Sequence, residues 1–296
     1  MNYGVAIIYY NPEIEVLKQL EVYCKVFEEV LIVDNSDKEV FDIKKVIKQY
    51  DKVQYINMNG NQGMSKALTQ AYIWANEKKL DFLLTMDQDS IYRESQITNM
   101  IQYINKNYEE DVAIYVANFA KMYWDKKEDK FVLGNYLVGE NEVKEVDMCL
   151  TSTSFINVKA MEQIMPLEDY FISYVDNFIS TDFIQKGYRL VRVGTSKFEQ
   201  QVGESVNNTW YNRTFKILHH KEIRYYYMIR NNYYYRKKFG KNLKIKIKSY
   251  LLLWRLYFNI LMGEKQKLRK FKACYAGYKD YVQGIKGKVK ESSIVW

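Results

Sequence analysis

Apolar and polar positions alternate in blocks over the first third of the chain. Tyr3–Tyr9 is an apolar run broken by Tyr10-Asn11-Pro12, and it reads as a buried strand. Glu13–Phe27 then carries Val16, Leu17, Leu20, Tyr23 and Phe27 at helical spacing. The unit repeats. Val30–Val33 runs into Asp34-Asn35-Ser36-Asp37 and a helix over Lys38–Gln49. Val53–Ile56 runs into Asn59-Gly60-Asn61-Gln62-Gly63 and a helix over Met64–Glu77. Phe82–Met86 stops at Asp87-Gln88-Asp89-Ser90. Strands and helices alternating through short polar connections predict parallel βαβ units in a doubly wound sheet.

Beyond Asp111 the pattern loosens. Val112–Val116 and Tyr188–Val193 read as strands, and Lys126–Lys130 as a hairpin tip. Thr151-Ser152-Thr153-Ser154 is a hydroxyl-rich approach to the apolar pair Phe155-Ile156. Tyr170–Lys186 reads as a loop entering a helix that Gly187 closes. From Asn212 onward the chain is mostly helical and increasingly basic.

The candidate chemistry lies where the first four strands stop. Each ends in polar side chains: Asn11, then Asp34 with Asn35, then Asn59 with Asn61, then Asp87 with Asp89. Ligands of open α/β sheets bind beyond the carboxyl ends of the strands. An Asp-x-Asp there can offer oxygen ligands to a hard divalent ion that bridges a diphosphate. Ordinary turn chemistry, which favours Asn, Asp and Gly anyway, is the plain alternative at each loop. No Gly-x-Gly-x-x-Gly follows the first strand and no Gly-x-x-x-x-Gly-Lys-Ser/Thr occurs, which removes support from a dinucleotide oxidoreductase and a P-loop phosphotransferase.

Composition adds two points. The three cysteines, Cys24, Cys149 and Cys274, lie far apart without metal-ligand spacing, which suggests a reducing compartment. The net charge of +8 hides an asymmetry: Arg236 to Trp296 holds 17 Lys/Arg against 3 Asp/Glu, a balance of +14, so the first 235 residues carry −6. Leu243, Ile247, Tyr250, Leu251, Trp254, Phe258 and Leu261 recur at helical spacing between two groups of lysines. That combination fits a helix lying in a membrane interface, with a helix packed on the body of the protein as the alternative. The longest apolar stretch, the thirteen residues Tyr250–Met262, is too short and too polar to span a bilayer. No recognised nucleic-acid module surrounds the charge, so no nucleic-acid partner is expected.

The motifs, taken in order, resemble those of bacterial family-2 glycosyltransferases, and of the rhamnosyltransferase-like branch in particular. They are Tyr9-Tyr10-Asn11-Pro12, Ile32-Val33-Asp34-Asn35-Ser36, Asn61-x-Gly63, Thr85-Met86-Asp87-Gln88-Asp89-Ser90, Thr151–Ser154, Phe171–Asp176 and Arg224–Asn231. A later segment, Ala276–Asp280 to Gly287-Lys288, also looks familial. The resemblance implies a nucleotide-sugar-binding, GT-A-like fold with a mixed doubly wound sheet and a helical, basic C-terminal extension. It implies a nucleoside-diphosphate sugar donor, a Mn²⁺ or Mg²⁺ ion and inversion at the anomeric carbon. It carries Asp34 to base or ribose binding, Asp87 to ribose and diphosphate, and Asp87 with Asp89 to the metal. Tyr9, Asn11, Asn61 and Gly63, from the matching segments, complete the expected nucleotide-sugar-binding set, and Asp176 is the matching catalytic base. Two departures stand out. Gln200-Gln201-Val202-Gly203 occupies the place of a family His-x-aliphatic-Gly, and Asn177-Phe178 replaces the usual acidic residue after the base. His220 matches a family His that precedes the Arg-Tyr-Tyr segment.

The expectation is therefore a catalytic domain over residues 1–211 and a helical basic extension over 212–296. The protein would be cytoplasmic and peripheral on the inner face of the cell membrane. It would move a sugar, rhamnose being one candidate, onto a lipid-linked saccharide in cell-surface polysaccharide synthesis. The alternatives are a sugar-nucleotide nucleotidyltransferase, or a degenerate sugar-nucleotide-binding scaffold subunit.

Overall fold

Tyr3–Tyr9 forms strand β1, and its near-continuous burial is what a strand covered on both faces requires. A computed structural model describes residues 1–38, 43–125, 130–201 and 219–290. After β1 come a short 3-10 helix (Ile14–Leu17), α1 (Lys18–Val26), β2 (Glu29–Asp34), α2 (Ile43–Ile47), β3 (Val53–Asn57), α3 (Met64–Glu77), β4 (Phe82–Asp87) and α4 (Glu94–Asn107). Then follow β5 (Val112–Asp125), β6 (Lys130–Leu133), β7 (Val143–Glu145), β8 (Ser154–Asn157), α5 (Val158–Glu162), α6 (Val175–Gln185) and β9 (Arg189–Gln201). The last elements are α7 (Glu222–Phe239), α8 (Leu243–Gly263) and α9 (Lys267–Val282).

The first four strands and third helix stand where the hydrophobic blocks predict them, within a residue or two. The first helix differs, because its opening turn is 3-10. The second is described only over Ile43–Ile47, since residues 39–42 lie outside the described residues, as do most of the expected hairpin tip and the expected domain boundary near residue 211. The chain divides into two compact units. One comprises Met1–Met122, Leu133–Glu168 and Ile179–Gln200; the other comprises Tyr123–Val132, Asp169–Phe178 and Gln201–Trp296. The segment 169–178 thus sorts with the C-terminal helices, which no periodicity in the sequence indicates.

In the first unit the strand order is β3-β2-β1-β4-β8-β5-β9-β7. β3, β2, β1 and β4 are mutually parallel, and β8 runs antiparallel to both β4 and β5. The sheet is therefore mixed. Alternate residues of β1 face opposite layers. Val5, Ile7 and Tyr9 join Leu20 and Tyr23 of α1 and Ile97, Met100 and Ile104 of α4 in one core. On the other side α3 buries Ala67, Leu68, Ala71, Trp74 and Ala75. That side carries small residues: a Cβ at Gly4 would press on Leu80 and lie 3.4 Å from the Trp74 ring.

The second unit is built on α7, α8 and α9. Asn242 caps α8 by accepting the N–H groups of Lys244 and Ile245. A Cβ at Gly277 in α9 would run into the Tyr226 carbonyl, so α7 and α9 touch backbone to backbone there. Tyr225, Ile229, Leu253, Leu256, Ile260 and Cys274 form one apolar cluster. Beside it the fully buried Glu264 carboxylate accepts from Tyr225 Oη at 2.5 Å, lies 3.2 Å from His219 Nδ1 and is paired with Lys270 Nζ. Burial pushes the Glu264 carboxyl up, but the bonds from Lys270 and Tyr225 outweigh it and hold it below its ordinary value.

A carboxyl held down in the folded state stabilises fully above its unfolded pKa, about 4.3, and that contribution is lost as pH falls through the lower folded value. Glu264→Gln leaves the Lys270 ammonium buried without its counter-charge. The variant is expected to lose about 3 kcal/mol in urea denaturation at pH 7. It should also lack the part of the acid limb that the parent shows below about pH 4.3.

Candidate active site

Because β1 to β4 are parallel, their carboxyl ends fall on one edge. The polar residues found there in the sequence form one hydrogen-bonded frame. Asp34, at the end of β2, accepts from Tyr55 Oη at 2.5 Å and from the Ser36 N–H at 3.1 Å. Asn35 donates its N–H to the Tyr9 carbonyl at 2.8 Å and accepts the Gln62 N–H at 2.7 Å. Asn61 Oδ1 takes the Asn35 amide at 3.3 Å and the Gly63 N–H at 3.0 Å. Gly63 precedes the first residue of α3 at φ 88°, a conformation that favours glycine. Asn11 is also left-handed, at φ 45°; its N–H donates to Ser36 Oγ at 2.8 Å and its side-chain oxygen accepts the Lys38 N–H at 3.2 Å. Tyr9 is different: its side chain is buried in the core, and it meets this frame only through its carbonyl.

The frame borders a cavity of about 340 Å³ lined by Asp34, Ser36, Lys44, Tyr55 and Asn57 among others. Lys44 Nζ sits 5.5 Å from the centre of the Tyr55 ring. A half-open cavity with an aromatic wall, a carboxylate and amide groups suits a planar heterocycle with attached hydroxyls. Tyr55 was not legible as a site residue. In the sequence it is one aromatic in a strand, and only its place beside Asp34 brings it to the cavity.

At the end of β4 the Asp87 N–H donates to Ser152 Oγ at 3.2 Å, and Ser152 donates to Ser90 Oγ at 3.0 Å. Thr85 Oγ1 donates to the Thr151 carbonyl at 2.5 Å, and the Thr153 N–H returns to the Thr85 carbonyl at 2.9 Å. The hydroxyl-rich segment thus lies under the Asp87–Asp89 turn and holds it. Gln88 ties the turn to β1: its side chain accepts the Tyr10 N–H at 2.7 Å and donates to the Tyr10 carbonyl at 3.1 Å. Its one sequence signal was its place between two aspartates. Asp87 is half-buried and Asp89 exposed.

No group of three or more His, Cys, Asp or Glu side chains that could by itself hold a metal ion occurs among the described residues. Mg²⁺-like ions are commonly held by one or two carboxylates plus substrate phosphates, so two hard oxygen donors in one turn fit such an ion. Gln200 closes the first unit, and Val202-Gly203 lies outside the described residues. His220 belongs to the second unit, and burial pushes its imidazole pKa down.

Asp176 also belongs to the second unit, in the first turn of α6 and half-buried. Three residues just before it, Phe171, Ser173 and Tyr174, have φ of 63°, 66° and 66°. Of the two nearby carboxylates, Asp169 accepts the Phe171 N–H at 3.2 Å and so is part of the loop's own structure. Asp182 lies further along α6, in the first unit.

The family model described as Glycosyl transferase family 2 matches residues 5–165, more than half of the chain. A dTDP-rhamnosyl transferase, RfbF, of Shigella flexneri is 24% identical over 97% of this chain and 97% of its own length. Among solved structures, residues 1–349 of TarS from S. aureus share the fold at a TM-score of 0.59 and 13% identity, over 95% of this chain and 81% of that one. GalNAc-T7, solved with UDP, GalNAc and Mn²⁺, does so at 0.52 and 16%, over 73% of this chain and 48% of its own.

Ser152→Ala removes the acceptor of the Asp87 N–H and the donor to Ser90. It is expected to cost on the order of 1–2 kcal/mol in chemical denaturation, the penalty of stranding one backbone donor at a half-buried position.

Proposed function

We propose that this chain, which belongs to glycosyl transferase family 2, moves a sugar from a nucleoside diphosphate onto a lipid-linked saccharide with inversion at the anomeric carbon. Rhamnose from its dTDP form is the donor favoured by the similarity to the S. flexneri enzyme. The observation that carries the reading is the single edge on which Asp34 with its cavity and the Asp87–Asp89 turn both lie.

In this reading Asp34, Tyr55 and the cavity hold the base and ribose, with Asn11, Asn61 and Gly63 shaping the loops around them. Asp87 and Asp89 would hold a Mn²⁺ or Mg²⁺ ion, which supplies charge neutralisation to the leaving diphosphate. Asp176 takes the proton of the acceptor hydroxyl as its oxygen attacks the anomeric carbon. The bond from that carbon to the diphosphate breaks, and its electron pair leaves with the nucleotide. A single displacement of this kind inverts the centre. It needs one base and one stabiliser of the leaving group rather than two facing carboxyl groups.

Release of dTDP from dTDP-rhamnose, measured with purified protein and Mn²⁺ or Mg²⁺, tests the reading. Asp89→Ala and excess chelator should each abolish it. Asp176→Asn should lower turnover about 10²–10⁴-fold with nearly unchanged donor KM. Asp169→Asn and Asp182→Asn should keep most of the activity. Full turnover of Asp176→Asn beside a dead Asp182→Asn would move the base elsewhere.

The acceptor class draws on α8. One face of this helix buries Ser249, Leu253, Leu256 and Ile260. The opposite face exposes Leu243, Ile247, Tyr250, Leu251, Trp254 and Leu261, with Trp254 63% exposed. Exposed Lys244, Lys246 and Lys248 flank it. No helix among the described residues is long and apolar enough to cross a membrane. An apolar stripe edged by lysines fits the headgroup region of an anionic bilayer on the cytoplasmic side, where lipid-linked acceptors would be met. The protein should co-sediment with phosphatidylglycerol-containing vesicles at low salt, less so with Trp254→Ala or at high salt. Indifference to such vesicles, or an apolar face occupied by a second copy in sedimentation analysis, would remove the membrane from the proposal.

A further inference from the structure

Among the described residues Arg230 is the largest side chain that is completely buried. Its guanidinium carbon lies 5.4 Å and 4.9 Å from the ring centres of Tyr226 and Tyr227. Its Nη1 donates to the Gly287 carbonyl at 2.8 Å, its Nη2 to the Tyr170 carbonyl at 3.2 Å and its Nε to Asn231 Oδ1 at 3.1 Å. Asn231, also fully buried, aims its amide at three carbonyls: Tyr170 at 2.9 Å, Ile172 at 2.8 Å and Ser173 at 3.0 Å. The next residue, Asn232, donates to Tyr174 Oη at 2.5 Å. From the far side the Gly287 N–H donates to the Asp169 carbonyl at 2.8 Å, and Phe171 stacks on Tyr227 at 5.0 Å between ring centres.

These contacts converge on the loop that holds three left-handed non-glycine residues. Each such residue is costly, and it persists where its surroundings over-determine it. Packing alone does not require a buried guanidinium, which gives up its hydration to be there. Both costs are met at one place, and the loop delivers the chain into the first turn of α6 two residues before Asp176. The Phe178 N–H donates to the Tyr174 carbonyl at 2.9 Å, so the direction in which α6 starts is set by the last two left-handed residues.

We propose that Arg230 and Asn231 are positioning residues that hold the 169–175 backbone so that the Asp176 carboxylate is aimed for proton abstraction. The inference rests on Asp176 being the base. The Tyr170 carbonyl faces both Arg230 and Asn231, the Ile172 and Ser173 carbonyls face the Asn231 amide, and Arg230 Nε holds the Asn231 side chain by its oxygen. Releasing them lets Phe171, Ser173 and Tyr174 relax toward ordinary backbone angles. Asp176 then drifts from its aim without loss of the donor site.

Turnover of dTDP-rhamnose to dTDP is compared for the parent, Asn231→Ala, Asp176→Asn and the double variant. Asn231→Ala should lower kcat about ten- to a hundredfold at nearly constant donor KM, the size of effect expected from a reacting group displaced by about 1 Å. In the Asp176→Asn background the same change should add no more than about a twofold loss. A merely structural role would lower the active fraction equally in both backgrounds, and an equal loss overturns the proposal. Arg230→Lys keeps the charge and reaches one carbonyl. It should show the same pattern more weakly, and it serves if Asn231→Ala does not fold. Amide hydrogen exchange is measured on the same proteins and needs no turnover. Residues 171–178 should exchange faster in either variant while β1 and β4 are unchanged, and unchanged exchange in that loop also overturns the clamp. Full activity of Asp176→Asn would instead defeat the assignment of the base, with loop exchange still judging the clamp.

Discussion

Parallel pairing of β3, β2, β1 and β4 is the constraint on which the polar edge with Asp34, Asp87 and Asp89 depends. Parallel strands point the same way, so every polar residue that follows a strand is delivered to one side of the sheet. The register pairs Tyr9 with Asp34, and Asp34 with Asn57. It thereby puts the carboxylate of β2 beside the ring of Tyr55 and the end of β1 beside the Gln88 amide. The edge is then braced from within. Asn35 and Asn61 spend their side chains on the loops around them, and Ser152, Ser90 and Gln88 spend theirs on the aspartate turn. The loops that carry Asp34 and the aspartate turn are thereby held in place. That is the condition for electrostatic stabilisation without reorganisation.

The second unit solves a different problem. Its helices carry many tyrosines and several buried polar side chains, so its core cannot be closed by apolar packing alone. Glu264, Lys270 and Tyr225 satisfy one another, and Tyr226 Oη donates to Asp280. Arg230 and Asn231 donate to backbone carbonyls, and Arg230 also to the Asn231 side chain. Buried polar groups that are hydrogen-bonded specify one arrangement more sharply than apolar contacts do. The arrangement specified here is that of the loop before Asp176. The tyrosines of α7 take part in this packing: Tyr225, Tyr226, Tyr227 and Tyr234 are buried.

By itself the sequence determined the alternation of strands and helices, because burial on both faces of a parallel strand demands an unbroken apolar run and the intervening helices show their own period. It determined where the first four strands end, because Asn, Asp and Gly mark those turns, and so it placed Asp34, Asp87 and Asp89 on one edge. It also carried the ordered motifs by which the family could be named. Tertiary structure alone decided which polar residues at that edge are struts and which face the cavity, since Asn61, Gln88 and Ser152 look no different from Asp34 until their partners are known. It buried the Tyr9 side chain in the core, a consequence of pleat phase rather than residue type. It sorted residues 169–178 with the C-terminal helices and set Arg230 and Asn231 beneath them, some sixty positions away along the chain. A hydrogen bond between a side chain and a distant carbonyl leaves no period, spacing or composition behind in the sequence. Only the folded backbone brings its two ends together.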